Sequence, residues 1–196
     1  MSLLRQPQCI EISGYSVPLG ARGIHFYYTK PEQQRLLGFL LEGIARYEGV
    51  VLACAGEVSE SLSDGLEMLG VRRSQPEITR VEITSNVRAS MASIAAAARN
   101  SLGGERGSCC RVLCDFGSMI GQEAVFEVES VLHSFLSGLN LVSVTQYDGR
   151  GFGAPITMEQ FQTHALAIVG SAFFCGNRYC APLLPFVPKP AMRRRK

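Results

Sequence analysis

No apolar run in this 196-residue chain approaches the roughly 20 residues that a membrane-spanning helix needs. Met1 to Pro18 also lack the charged-then-apolar layout of a signal peptide. A soluble, cytoplasmic protein without a membrane partner is therefore expected. Charge of one sign is scarce as well. The net charge is +2, and Arg193, Arg194, Arg195 and Lys196 supply four positive charges at one end, so the body is slightly acidic. Such a body is no nucleic-acid surface, and nucleic acid is not expected as a partner. Tight loop-held cysteine pairs of the zinc-binding kind are missing too. Cys109, Cys110 and Cys114 fall in one predicted strand, whose side chains alternate faces. The cysteine count of seven is odd, which in a chain without an export signal points to reduced thiols rather than bridges. No metal and no cofactor are expected.

What the chain does have is enough apolar substance for one core. A hydrophobic share of 46% against 18% charged residues excludes a disordered polymer and fits one domain. Residues 1–22 read as an N-terminal arm, with weak alternation around Ile10 and Ile12 followed by turns at Gly14, Pro18 and Gly20. Residues 23–181 read as the domain and 182–196 as a proline-rich basic tail. Within the domain, Ile24 to Tyr28 is a predicted strand. Thr29 and Glu32 have the spacing of a capping box. Leu36, Leu37, Leu40, Leu41, Ile44 and Tyr47 keep the three-and-four spacing of one helix, which Glu48-Gly49 closes before the apolar strand Val50 to Ala55.

The same strand-then-helix unit recurs. A helix over 61–69 stops at Gly70, where glycine suits the left-handed cap. A strand around Val81 and Ile83 precedes the stripe Val87, Met91, Ile94, Ala95, Ala98 and Leu102. Cys109 to Phe116 precedes a helix over 125–139, and Leu141 to Tyr147 is the next strand. A short helix around 158–162 and a strand over 165–169 follow, after which Pro182, Pro185, Pro188 and Pro190 predict irregular structure. Alternation of this kind predicts an α/β three-layer sandwich with a mostly parallel central sheet. Its ligands are expected at the carboxyl ends of the strands.

The residues at those ends are Tyr27 and Tyr28, Glu57, Asp115 with Ser118, and Gln146, Tyr147 and Asp148. A triphosphate site would need G-x-x-x-x-G-K-[ST], because only unhindered backbone N–H groups can wrap the phosphates. The first crossover instead reads Tyr27-Tyr28-Thr29-Lys30-Pro31-Glu32, whose proline lacks an N–H. No enzymatic activity, and no ATP turnover in particular, is expected.

Several segments carry a family resemblance. These are Phe26-Tyr27-Tyr28, Glu42-Gly43, and Gln146-Tyr147-Asp148 with Phe152 and His164. On them the chain, from about Gly14 to Tyr179, resembles the MEDS family of sensory domains, named for methanogen and methylotroph proteins and the DcmR regulator. That family looks like a RecA/KaiC-type core that has lost its phosphate loop. Arg111 to Asp115 is similar to the Walker-B strand of the ATPase relatives. One departure is that Gly23 stands where the family usually carries histidine. His25 lies two residues later, on the same strand face. The resemblance implies a sensory role in signal transduction or transcriptional regulation.

The expected function is thus binding of a small molecule at the carboxyl edge, with the occupancy passed to a downstream signalling protein. The expected contacts are His25, Tyr28, Asp115, Gln146, Tyr147 and Asp148. Plainer roles stand beside these. One of Tyr27 and Tyr28 serves packing, Asp115 caps a loop, Tyr147 and Asp148 form a turn, and His164 is a hydrogen-bonded structural group. The alternatives are an interaction or homo-oligomerisation module without ligand, or a receptor for an anionic signalling nucleotide held by arginines such as Arg150.

Overall fold

The structure, a computed structural model, describes residues 9–12, 14–72, 75, 77–103, 109–153, 160, 163–169, 172–175 and 178–182, with backbone alone for 169, 172–175 and 178–182. Ten strands and five helices follow one another along it: β1 (Cys9–Ile12), β2 (Tyr15–Pro18), β3 (Arg22–Tyr27), α1 (Lys30–Gln34), α2 (Leu37–Ala45), β4 (Gly49–Ala55), α3 (Gly56–Met68), β5 (Thr79–Ile83), α4 (Val87–Leu102), β6 (Cys110–Asp115), α5 (Val125–Leu136), β7 (Leu141–Asp148), β8 (Leu166–Val169), β9 (Ala172–Cys175) and β10 (Arg178–Pro182).

β3 to β10 form one sheet in the order β10-β9-β8-β3-β7-β6-β4-β5, and β1 and β2 form a separate hairpin. From β8 to β5 all neighbours run parallel, while β9 and β10 are antiparallel additions. Every residue of β4, β6 and β7 is buried, as expected of strands covered on both faces. β5 at the edge exposes Thr79, Arg80 and Glu82, charges that discourage a further strand from pairing.

One face of the sheet packs Leu37, Leu40, Leu62 and Leu66 of α2 and α3, together with Ile10, Ile12 and Val17 of the hairpin. The other face packs Met91, Ile94 and Ala98 of α4 against Val125, Val128 and Leu132 of α5. This is the three-layer α/β sandwich with a mostly parallel centre that the strand and helix alternation predicts. Among the described residues no helix is long and apolar enough to cross a membrane.

A buried guanidinium ties one layer to the centre. Arg111, in the middle of β6, is wholly buried. Its Nε donates to Glu48 at 2.5 Å and its Nη1 to Glu42 at 3.2 Å and to the Phe39 carbonyl at 3.0 Å. Its Nη2 donates to the Glu11 carbonyl of the hairpin at 2.9 Å. Gly43 makes room for this side chain, since a Cβ there would lie 2.9 Å from Arg111 Cδ. The Glu42-Gly43 pair thus serves the arginine.

Four readings from periodicity are corrected. The single helix expected from the Thr29 capping box to Tyr47 is two, α1 and α2, joined through the short turns Arg35 N to Glu32 O and Phe39 N to Leu36 O. α1 is pinned by its glutamines and α2 by its leucines, and these tighter bonds absorb the difference in register. α3 begins at Gly56, directly after β4, because its first five residues carry only one buried side chain, Val58, for periodicity to detect. The arm holds a hairpin rather than one strand. Regular structure also continues past Val169 into β9 and β10, ending on Pro182 at the sheet edge, where a missing N–H costs no ladder bond. Residues 104–108, most of the helix expected over 158–162, and 183–196 lie outside the described residues.

Candidate functional site

The first crossover sets the site. Thr29 caps α1, its Oγ1 accepting from Glu32 N at 3.4 Å, while Glu32 reaches back to Tyr28 N at 2.8 Å. This capping box aims Gln33 inward, and it is buried. Its Nε2 donates to Asp115 Oδ2 at 2.8 Å and to the Tyr27 hydroxyl at 3.3 Å, and its Oε1 accepts from Ser61 Oγ at 2.8 Å.

Asp115 ends β6 with no exposed surface. Oδ1 accepts from Gly117 N at 2.9 Å and Tyr27 Oη at 3.3 Å; Oδ2 accepts from Gln146 Nε2 at 2.7 Å as well as from Gln33. Burial raises the Asp115 carboxyl to about 6, against the opposing pull of these four donors. The Tyr27 phenol is likewise pushed up, first by burial and then by the nearby carboxylates. Because the Gln146 amide nitrogen faces Asp115, its oxygen accepts from His25 Nδ1 at 3.1 Å. That contact assigns the proton to Nδ1 and leaves Nε2 bare and without a partner. His25 is wholly buried, which pulls it down to about 4 and keeps it neutral. The run His25–Gln146–Asp115–Gln33–Ser61 is one continuous polar line through the layer.

Above this line the carboxyl edge opens into a depression of about 450 Å³, with Tyr27 and Gln33 as its floor and Tyr28, Glu57, Ser118 and Arg150 among its walls. Glu57, in the first turn of α3, accepts from Ser118 N at 2.6 Å and Ser118 Oγ at 2.9 Å. It packs on Gly117, whose φ is +57° and where a Cβ would lie 2.3 Å from Glu57 Oε1, so a side chain is excluded. Asp148 binds the Arg150 backbone N at 3.1 Å and its guanidinium Nε at 2.9 Å, and the Arg150 contact holds its carboxyl below the ordinary range. Tyr28 lies over Gly149, where a Cβ would meet the ring at 2.7 Å, and is 42% exposed.

The six expected contacts therefore separate. His25, Asp115 and Gln146 meet in the buried line, and Tyr28 and Asp148 line the depression. Tyr147 points to the opposite face. Its ring stacks on Phe116 at 5.4 Å and touches Phe26 and Phe152, and its hydroxyl donates to Glu129 at 2.7 Å. Alternation along β7 is the reason: Gln146 and Asp148 share one face and Tyr147 takes the other. Glu129 also meets His164 Nε2 at 3.0 Å, and His164 Nδ1 meets the Gln160 carbonyl at 2.8 Å, so this histidine braces the core.

Sequence periodicity passes over Gln33, Ser61 and Tyr27 as site residues. Tyr27 alone stands at a predicted strand end, whereas Gln33 and Ser61 fall in the helices that follow such ends. Among the described residues no three His, Cys, Asp or Glu side chains converge as a metal site requires. Cys110 and Cys114 are buried in the α4–α5 layer, and burial pushes the Cys110 thiol up to about 12. No family model and no curated protein matches the chain.

Proposed function

We propose that this protein is a non-enzymatic sensory module that takes a small ligand in the carboxyl-edge depression and passes the occupancy to a downstream signalling protein. The depression itself carries this reading. Its volume of about 450 Å³ falls within the roughly 300–1,000 Å³ of small-molecule sites. It also lies where open α/β sheets take their ligands.

An entering ligand first meets Gln33, Tyr27 and Tyr28, because the protein's own side chains cover Asp115. An anionic nucleotide is disfavoured, because Ser118 and Arg150 already donate to Glu57 and Asp148. The resemblance to MEDS sensory domains agrees with a role in signal transduction. Signalling requires a ligand with unequal affinity for two conformations. α1 is the element through which occupancy would act, since it supplies Gln33. The reading set against this one is an interaction or oligomerisation module without ligand, and the saturated hydrogen bonding of Asp115 is the observation in its favour.

A thermal-shift and calorimetric screen of small polar metabolites tests the proposal, with Tyr28→Ala as the control. Stabilisation by one chemical class that Tyr28→Ala abolishes is expected. No stabilisation by any compound, together with a tight oligomer in light scattering, would replace the sensor with the interaction module.

A further inference from the structure

We propose that the Gln33 carboxamide is a built-in stand-in for the head group of the ligand, and that this head group is a donor cation of the amidinium, guanidinium or ammonium class. The inference rests on the depression being the binding site. All four donors around Asp115 are supplied by the protein, but they are not equivalent. Tyr27 belongs to β3, Gln146 to β7 and Gly117 to the backbone that leaves β6, and all three are fixed by the sheet. Gln33 alone comes from α1, a five-residue helix. It lines the open depression together with Tyr27 and Gly117, and of these three it is the one not carried by the sheet or by the backbone leaving it.

A guest entering from solvent meets Gln33 before Asp115. Whatever displaces it inherits three neighbours: Asp115 Oδ2, the Tyr27 hydroxyl and Ser61 Oγ. An anion would be placed against a buried carboxylate, and a neutral acceptor would leave Asp115 one donor short, which is costly in the interior. A forked N–H cation satisfies Asp115 with one arm and a hydroxyl with the other, and offsets a charge that burial disfavours. Tyr28 at the rim provides an aromatic wall for the group attached to it. While Gln33 is seated, the competent fraction is small and the apparent affinity is reduced in proportion.

Benzamidine, benzyl alcohol and benzoate, which share one ring and differ in head group, are the probes. Each is titrated by calorimetry and two-dimensional NMR into the wild type, Gln33→Ala, Ser61→Ala and Asp115→Asn. Benzamidine is expected to bind the wild type weakly and Gln33→Ala about tenfold or more tightly, as removal of an internal competitor requires. Binding should be lost in Asp115→Asn. Ser61→Ala frees the far end of the carboxamide without touching Asp115, and should tighten binding in the same direction by a smaller factor. Benzamidine binding in the depression that is unchanged by Gln33→Ala and Ser61→Ala, or benzoate binding equally well, overturns the stand-in and leaves the binding site. If no probe shifts the Tyr28 or Ser118 resonances in any variant, the depression is not a site and both proposals fall.

Discussion

Gln33 and Asp115, 82 residues apart in the chain, meet at 2.8 Å across the mouth of the sheet. The contact closes the end of β6 from above while three further donors hold the carboxylate from the strands and the backbone beside it. A carboxylate at the end of an apolar strand is costly unless it is fully paired. Here the first crossover, which lacks the means to hold phosphate, supplies the missing partner.

The same line predicts two opposed pH dependences. Asp115 is raised from 3.8 to about 6 in the folded protein, so its stabilising contribution is complete below about pH 4 and is lost as pH rises through 6. His25 is lowered from 6.5 to about 4, so its contribution is present above 6.5 and is lost as pH falls through 4. In the wild type the two nearly cancel. Relative to wild type, Asp115→Asn should gain about 3 kcal/mol between pH 4 and 6, and His25→Gln should lose about 3 kcal/mol over a similar window. Urea melts across this range check both, and parallel curves for all three proteins would contradict the assignment.

Arg111 should be the most sensitive surface-remote position. Arg111→Ala strands Glu42 and Glu48 and is expected to cost about 3–5 kcal/mol. Gly43→Ala should also destabilise, by pressing a methyl group onto Arg111 Cδ and Val50 Cγ2, each 2.9 Å away. Part of that cost should vanish in the Arg111→Ala background. A double-mutant cycle from chemical denaturation reads the coupling, and strict additivity would contradict the shared space.

Tyr47 ends α2 in the left-handed region, with φ of 59° and 74% of its surface exposed. Glu48 N to Gly43 O and Tyr47 N to Ile44 O complete the same cap that Gly70 makes after α3, where φ is +83°. Tyr47→Gly relieves the strain and is expected to stabilise by about 1 kcal/mol, or roughly 3 °C in Tm. Thermal melts test it.

Tyr147 belongs to the core, and its variants should behave accordingly. Tyr147→Phe removes one donor from buried Glu129 and should cost about 1–3 kcal/mol while leaving ligand affinity unchanged. Denaturation beside a binding isotherm separates the two effects.

Much of the layer plan was legible because its signals are repetitive. β4 and β6 are nearly unbroken apolar runs, and the α4 stripe from Val87 to Leu102 repeats every third or fourth residue. The buried polar line was legible only in pieces. Asp115 and Gln146 stood out as polar strand ends, but the burial of Gln33 depends on partners 28 and 82 residues away, and no local pattern records that. Arg111 gave one hint, a charge inside an apolar strand, with its acids 63 and 69 residues distant. Tyr147 was separable from Gln146 and Asp148 by alternation alone, although its adjacency to them in the family-like segment suggested a shared role. β9 and β10 escaped because prolines beyond them pointed to irregular chain, whereas a sheet edge tolerates one.

The most direct measurement is an NMR map of the amide shifts produced by whichever small molecule stabilises the protein in the screen. Saturable shifts centred on Tyr28, Ser61, Ser118 and Arg150, with the Gln33 side-chain amide among those that move, are predicted. Saturable shifts confined to another surface, with Gln33 and its neighbours unmoved, would contradict a binding site at the carboxyl edge.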